Sequence, residues 1–179
     1  MSLNYRARAF ELYGKEKYLY GQLATLPSLG KLSFLNNDQP AALNYFNDGS
    51  ILAEKLDDDF YRAVIWKEMA DMYRDTASNA QATEYYLKAL RLGGKLNKRL
   101  TAIIQENLGE VYEKQNNPTA AKKYYLSALE ISRNIKNKFG EAKTLYNLAV
   151  LDESENRTEN ALEKIKESLA ITESLYIDV

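Results

Sequence analysis

Large and small apolar residues recur along this chain in fixed columns, every 39 or 40 residues. The first column holds the small residues Gly30, Ala70, Gly109 and Ala149. Twelve residues after each stands an alanine, in the column Ala42, Ala82, Ala121 and Ala161. Four further on comes a large apolar side chain, and three beyond it a small one, in the columns Phe46, Tyr86, Tyr125, Ile165 and Gly49, Ala89, Ala128, Ser168. Unrelated helices would not keep four columns in phase, so the pattern predicts an array of one repeated element.

The third repeat shows what that element is. Ile104, Leu108 and Val111 follow helical spacing, which predicts a first helix with one apolar stripe. Asn116 and Pro118 then mark a turn, because asparagine tolerates the left-handed conformation that ends a helix and proline suits the first turn of the next one. A second helix follows with small residues at Ala121 and Ala128. The sequence therefore predicts an antiparallel helix hairpin.

The same turn signals divide the whole chain into repeats. Asn37 and Asn156 take the turn position of Asn116, and Ala77 takes it in the second repeat. Further apolar residues stay in phase at the joints between repeats, at Leu56, Leu96, Ile135 and Leu175, then Phe60, Leu100, Phe139 and Val179. We predict one continuous array over 1–179, made of a half repeat over 1–20 and full repeats over 21–60, 61–99, 100–140 and 141–179.

The two ends of the array lack a polar capping helix, although solenoids normally shield their end faces. We therefore expect the sequence to be a segment of a longer protein. If it is complete, its bare terminal helices are expected to pair and form a homodimer.

Composition narrows the function. Three prolines, eight glycines and abundant helix-forming residues favour an all-α protein. The chain has no cysteine and no histidine, which removes thiol catalysis, histidine bases and His/Cys zinc sites and fits a reducing, cytoplasmic location. A net charge of −1 disfavours nucleic-acid binding, and no apolar run approaches a membrane span. We expect no cofactor, metal, nucleic acid or membrane as a ligand, and no enzymatic activity.

The motifs resemble the tetratricopeptide repeat family. In the third repeat the matching residues are Leu108, Gly109, Tyr112, Ala121, Tyr125 and Ala128, and in the second they are Trp66, Met69, Ala70, Tyr73, Ala82, Tyr86 and Ala89. The 40-residue period and the missing closing proline are similar to the long-repeat subgroup of kinesin light chains, Leu-Gly-Asn-type modulators and bacterial peptide-pheromone receptors. The resemblance implies a right-handed α-solenoid whose first helices line a concave groove for a protein or peptide.

Helical spacing identifies the residues on each first helix that lie opposite its apolar stripe. These candidate partner-binding residues are Lys67, Asp71 and Arg74 in the second repeat, Glu106, Asn107, Glu110 and Glu113 in the third, and Lys143, Tyr146 and Asn147 in the fourth. Asparagine amides could pair with an extended peptide backbone. A solvated helix face is the alternative for the same residues.

A carboxylate clamp is a sharper hypothesis. The resemblance places Lys67, Asn107 and Lys143 where chaperone-binding relatives hold a peptide's C-terminal acid. Asp71 and Asn147 stand where that clamp needs asparagine and arginine, and a carboxylate there would repel the ligand. The pattern disfavours the clamp.

We therefore interpret the chain as a non-enzymatic scaffold that binds a protein or peptide through its concave face. The alternative is a ligand-sensing or peptide-sensing domain of a bacterial signalling or transcription regulator. Two local features have simple structural explanations. The acidic run 57–59 lacks calcium-loop spacing and suits an exposed corner. Gly93 with Gly94 suits an early helix end or a hinge.

Overall fold

A computed structural model of the chain describes residues 3–93 and 97–177. Within these ranges the protein is all-α and contains no strand. Within each of the two ranges, consecutive helices pack side by side and are joined by three-residue turns. The helices are α1 (Leu3–Lys15), α2 (Leu19–Leu35), α3 (Gln39–Lys55), α4 (Asp59–Asp75), α5 (Asn79–Gly93), α6 (Lys98–Lys114), α7 (Pro118–Asn134), α8 (Lys138–Ser154) and α9 (Thr158–Ile177).

The turns within the hairpins form where the sequence predicted them. Asn37, Asn116 and Asn156 all adopt positive φ, and so does Ala77 in the second repeat. An asparagine or aspartate then caps several of the helices that follow: the Asn117 side chain accepts a hydrogen bond from the backbone N–H of Ala120, at 3.1 Å. The left-handed residue reverses the chain, and the cap satisfies an amide at the start of the next helix.

The corners between hairpins follow the same rule with other residues. Lys17, Asp57 and Lys136 have positive φ there. In the acidic run, Asp58 caps α4 by accepting from the backbone N–H of Tyr61 at 2.9 Å, and Asp59 pairs with Arg62. The run is therefore a helix start. Gly93 is the last residue of α5, whereas Gly94 and the apolar Leu96 lie outside the described residues, as does Val179.

The chain divides into two compact units, residues 1–96 with α1 to α5 and residues 97–179 with α6 to α9. In the first, Phe46 of α3 packs with Ile65 and Met69 of α4. In the second, Tyr125 and Leu129 of α7 pack with Leu145 of α8. The division into four repeats with the predicted bounds stays a prediction.

The predicted columns are buried except at two positions of α9. All four alanines of the second column are at most 3% exposed, and Phe46, Tyr86 and Tyr125 are at most 1% exposed. The exceptions are Ile165, the fourth member of that large apolar column, which is 36% exposed, and Ser168 of the last small column, which is half-buried. The reason is that no described helix packs over that side of α9.

One pair of positions changes its chemistry from repeat to repeat. Near the turn of each hairpin, Tyr73 stacks on Tyr85 in the second repeat, with ring centroids 5.5 Å apart, and Tyr112 on Tyr124 in the third, at 5.3 Å. In the fourth repeat the equivalent residues are Asp152 and Lys164, which form an ion pair at 2.7 Å. Two different interactions therefore join the two helices at the same place.

Candidate functional site

The second compact unit brings together the candidate residues of the third and fourth repeats. We call this surface, formed by Glu106, Asn107, Glu110, Glu113, Lys143, Tyr146 and Asn147, the α6–α8 face. The two helices are the first helices of successive hairpins and lie side by side. Side chains four residues apart on each helix therefore point to a shared surface.

Lys143 is the electrostatic centre of the α6–α8 face. Its Nζ lies 2.5 Å from Oε1 of Glu106 and 3.3 Å from Oε1 of Glu110. Burial acts to lower the pKa of Lys143, but the hydrogen bond and attraction of the two carboxylates outweigh it and raise the pKa above its ordinary value. Lys143 is therefore a permanent cation held by acidic residues of the neighbouring helix.

Glu106 and Asn107 differ from the exposure that helical spacing suggested for them. Each is 6% exposed and belongs to the buried part of the unit. The cause is the neighbouring helix: besides the contact with Lys143, the Asn147 amide donates to Glu106 across 3.4 Å. A pattern on one helix cannot show that the next first helix covers it. On the α6–α8 face, Tyr146 and the outer atoms of Lys143 are consequently exposed, and Glu110, Glu113 and Asn147 are half-buried.

The structure adds a tyrosine to this surface that the sequence assigned only to the core. The ring of Tyr125 is buried beneath α6, but its hydroxyl donates a hydrogen bond to Oε2 of Glu113 at 2.9 Å. Burial, the charge of Glu113 and that hydrogen bond all raise the pKa of Tyr125. In the second repeat the hydroxyl of Tyr86 bonds Asp71 in the same way. The sequence did contain a signal for this contact. The same column holds phenylalanine in the first repeat and tyrosine in the second and third, and only tyrosine carries a hydroxyl.

An open cleft runs along the α6–α8 face. It has a volume of about 440 Å³ and is lined by Glu110, Glu113, Lys114, Tyr125, Tyr146, Asn147 and Val150. Tyr146 and Val150 are 55% and 40% exposed. The cleft thus sets two carboxylates, the ammonium group of Lys114 and an amide beside an exposed apolar strip. With the carboxylates in excess, it suits a segment with a cationic and an apolar side chain.

The remaining candidates, Lys67, Asp71 and Arg74, lie on α4 in the first compact unit. Lys67 Nζ is 2.8 Å from Asp71 and 2.9 Å from Glu68, and Arg74 is 3.8 Å from Asp71. Burial lowers the pKa of Lys67, whereas Asp71 and Glu68 raise it by more. With Lys31 of α2 at 3.7 Å from Glu68, these groups form a network of alternating charge.

These pairings bear on the carboxylate clamp. Both of its lysines are engaged within their own units, Lys67 by Asp71 and Glu68 and Lys143 by Glu106 and Glu110. A ligand carboxylate would have to displace two acidic side chains from each lysine. The geometry adds to the sequence argument against the clamp.

The part of the chain that the structure describes offers neither a metal site nor a membrane-spanning helix. No group of three or more acidic, histidine or cysteine side chains there is arranged to hold a metal ion. Among the same residues, no helix is both long enough and apolar enough to cross a bilayer.

Comparison with known proteins decides the family. The sequence profile of the tetratricopeptide repeat matches residues 61–134 and 100–174. The chain belongs to the tetratricopeptide repeat family. This family's fold is generally a non-enzymatic scaffold for protein interactions, and stacked helix hairpins of this type are what the structure contains. No curated protein matches the sequence.

Solved structures share this tetratricopeptide fold at low sequence identity. BtubC (BKLC) from P. vanneervenii is 20% identical with a TM-score of 0.87, over 97% of this chain and 73% of that one. The apo form of RapI is 16% identical with a TM-score of 0.78, over 96% and 70%. The putative kinesin light chain repeats of Podosopora anserina are 13% identical with a TM-score of 0.71, over 97% and 96%. Identities this low show the fold alone.

Proposed function

We propose that this protein is a cytoplasmic, non-enzymatic scaffold that binds an extended segment of a partner protein on the α6–α8 face. The observation that supports the proposal is the cleft in which Glu110 and Glu113 lie beside the exposed Tyr146 and Val150. Charged groups, an amide and apolar side chains converge there from two helices. The repeat family to which the chain belongs provides the general role.

The chemistry of the cleft defines the segment that we expect. Glu110 and Glu113 attract a lysine or arginine, and Tyr146 gives an apolar neighbour a surface to pack on. The Asn147 amide can pair with peptide groups of the bound backbone. The partner segment is therefore expected to be a short run with a basic residue next to an aliphatic or aromatic one.

A random peptide library displayed on phage and selected against the whole chain tests this proposal. The selected peptides are expected to be enriched in lysine or arginine beside an apolar residue. The double variant Glu110→Gln and Glu113→Gln is then expected to bind them about tenfold more weakly, since the charge attraction is removed with little change in shape.

The matched control is the double variant Glu130→Gln and Glu163→Gln, which removes two exposed carboxylates from the second helices of the same unit. It should bind the selected peptides as the unaltered protein does. Equal losses in both double variants would show a general charge effect, and no loss in either would place the binding site elsewhere.

The sensing alternative predicts a different behaviour. A sensor domain should change conformation when its ligand binds, whereas a scaffold with a preformed cleft should not. The structure supplies no observation that favours the sensor, and the likeness to RapI concerns the fold alone.

A further inference from the structure

Glu113 lies in the cleft of the α6–α8 face with its carboxylate held from below. Its Oε2 accepts the hydrogen bond from the Tyr125 hydroxyl at 2.9 Å. The Tyr125 ring is 1% exposed, and a Cβ at Gly109 would lie 2.4 Å from its Cε1, so the ring is packed tightly in place. Burial and the charge of Glu113 raise the pKa of Tyr125, so the phenol stays protonated and remains a donor. The carboxylate of Glu113 is therefore presented in a defined direction.

Acceptors reach the cleft from the neighbouring helix as well. Asn147 of α8 donates through Nδ2 to Glu106 at 3.4 Å, which leaves its carbonyl oxygen on the other side of the amide. Glu113 of α6 and Asn147 of α8 both line the cleft. A ligand group that satisfies both must therefore have donors that point in more than one direction.

Tyr146 provides an aromatic ring beside these acceptors, and it is 55% exposed. This protein already contains an arginine held by a ring and a carboxylate. The Cζ of Arg62 lies 5.5 Å from the centre of the Trp66 ring, and its guanidinium pairs with Asp59. The ring contacts the face of a guanidinium, whereas the N–H groups lie in its plane and reach acceptors at its edge. A ring next to acceptors thus suits an arginine side chain.

Lysine also meets a ring and a carboxylate in this protein, but that carboxylate is not held in place. The Nζ of Lys88 lies 4.7 Å from the centre of the Tyr85 ring and 2.6 Å from Glu84. The Glu84 side chain is 58% exposed, so it can follow the ammonium group. Glu113 is instead fixed by Tyr125. A carboxylate of fixed direction favours the planar fork of a guanidinium over a compact ammonium group.

We propose that the cleft of the α6–α8 face selects arginine over lysine in the bound segment. The guanidinium bonds to Glu113 and stacks on Tyr146, and Tyr125 is the positioning residue that orients Glu113. This inference rests on the proposed function, because it specifies the basic residue of the partner segment. Lys114 also lines the cleft, and its ammonium group repels either cation, so it lowers affinity without choosing between them.

The peptides selected from the displayed library test this inference when each is synthesised in two versions, with arginine or with lysine at its basic position. Isothermal titration calorimetry against the whole protein measures both affinities. The lysine version is expected to bind about fivefold more weakly. Both versions carry the same charge, so the loss reports the shape of the donor group.

The variant Tyr125→Phe isolates the positioning role. It removes one hydroxyl, and the fold accepts phenylalanine in this column, since Phe46 occupies it in the first repeat at 1% exposure. Glu113 keeps its charge but loses its fixed direction, so the ratio between the two versions should fall to about twofold while both still bind. Tyr86→Phe is the matched control. It removes the hydroxyl bonded to Asp71 in the other compact unit and should leave the ratio unchanged.

Two further variants separate stacking from net charge. Tyr146→Leu keeps an apolar side chain at an exposed position but removes the ring, so the arginine version should lose more affinity than the lysine version. Lys114→Gln should strengthen binding of both versions equally. A ratio changed by Lys114→Gln would show that net charge makes the choice and would contradict the proposal.

Three other results would overturn it. The first is equal affinity for the two versions in the unaltered protein, or a preference for lysine. The second is a ratio that Tyr125→Phe leaves unchanged, and the third is an equal loss in both versions from Tyr146→Leu. The double variant Glu110→Gln and Glu113→Gln separates these failures from a failure of the proposed function. If it still weakens binding, the proposed function stands without arginine selection, and if it does not, both proposals fall.

Discussion

Gly109 shows how one residue controls the contact between two helices of a hairpin. A Cβ at this position would lie 2.4 Å from Cε1 of Tyr125, well inside van der Waals contact. The Tyr125 ring is 1% exposed and its hydroxyl is bonded to Glu113, so the ring has no free space into which to turn. The column of small residues that contains Gly30, Ala70 and Ala149 already indicated that only a small residue fits here.

Replacing Gly109 by alanine is therefore expected to destabilise the protein, although alanine is the better helix former by about 1 kcal/mol. Overpacking against Tyr125, at about 1–3 kcal/mol, should outweigh that gain and leave a net loss of up to about 2 kcal/mol in the free energy of unfolding. Urea denaturation measures the change. Gly14→Ala is the matched control, since its Cβ would meet only the flexible end of Gln22. A stabilised Gly109→Ala would contradict the packing described.

Ala77 occupies a left-handed position where three other hairpins have asparagine. Its φ is 58°, close to the values at Asn37, Asn116 and Asn156. Asparagine tolerates this conformation better than alanine, because its short polar side chain can bond locally.

We expect Ala77→Asn to raise the free energy of unfolding by about 0.5–1 kcal/mol and Asn116→Ala to lower it by a similar amount. Thermal denaturation of both variants checks the pair. Changes of the same sign in the two variants would show that backbone conformation does not control these turns.

The sequence predicted one kind of turn better than the other, for a physical reason. Asn116 followed by Pro118 marks a helix end and a helix start together. Lys17 and Lys136, which adopt the same left-handed conformation at corners, carry no such mark. Lysine has no special preference for that region, so packing of the flanking helices must impose it.

At the scale of elements, the pair near each hairpin turn is exchangeable between aromatic stacking and an ion pair. Asp152 is 1% exposed, and its carboxylate lies 2.7 Å from Nζ of Lys164 and 2.6 Å from Nη2 of Arg157. Tyr73 with Tyr85 and Tyr112 with Tyr124 perform the same joining role without charge. A buried carboxylate is stabilised only when all its ion-pair partners are present, whereas a stacked ring needs only the ring beside it.

We expect Asp152→Tyr alone to destabilise the protein strongly, by about 3 kcal/mol. Lys164 loses its ion-pair partner, and the new tyrosine ring has no second ring on which to stack. Adding Lys164→Tyr should restore about half of that loss by recreating the stack of the third repeat. A double-mutant cycle by urea denaturation measures the coupling. Additive losses would show that the two arrangements are not equivalent.

Two buried carboxylates of the second compact unit make stability depend on pH. Burial acts to raise the pKa of Asp152, but hydrogen bonds and charges from Lys164 and Arg157 outweigh it and lower the pKa below its usual value. For Glu141, burial is likewise outweighed by Lys138 and Arg133, and its pKa is lowered. The unfolded chain therefore binds protons more readily at these two groups than the folded one does.

Their contribution to stability is expected to be complete above the ordinary carboxyl pKa values, near pH 5, and to disappear as the pH falls through the lowered folded values. Urea denaturation from pH 6 down to pH 2 measures it. Asp152→Asn should start less stable at pH 6 and lose less on acidification than the unaltered protein. Parallel curves for the two proteins would contradict the assigned pKa shift.

At the scale of the whole chain, the period predicted an array of repeated helix hairpins, because stacked hairpins must repeat their contacts every 40 residues. The family came from the resemblance of residues such as Leu108, Gly109 and Tyr112 to its motif. Helical spacing predicted a surface on α6 and α8, but it did not predict how deeply the side chains of that surface are buried. Glu106 is buried because Lys143 and Asn147 come from a helix 40 residues away, and one-helix spacing holds no information on that contact. The exposed Ile165 likewise depends on what lies over α9, not on its column.

Binding of a partner segment in the cleft of the α6–α8 face should alter the surroundings of particular residues. Amide NMR of the whole protein, titrated with a peptide selected from the displayed library, tests this most directly. We expect shifts concentrated at residues 106–113 of α6 and 143–150 of α8, with residues of α4 unmoved. Shifts confined to α1–α5, or to the outer sides of α7 and α9, would contradict it.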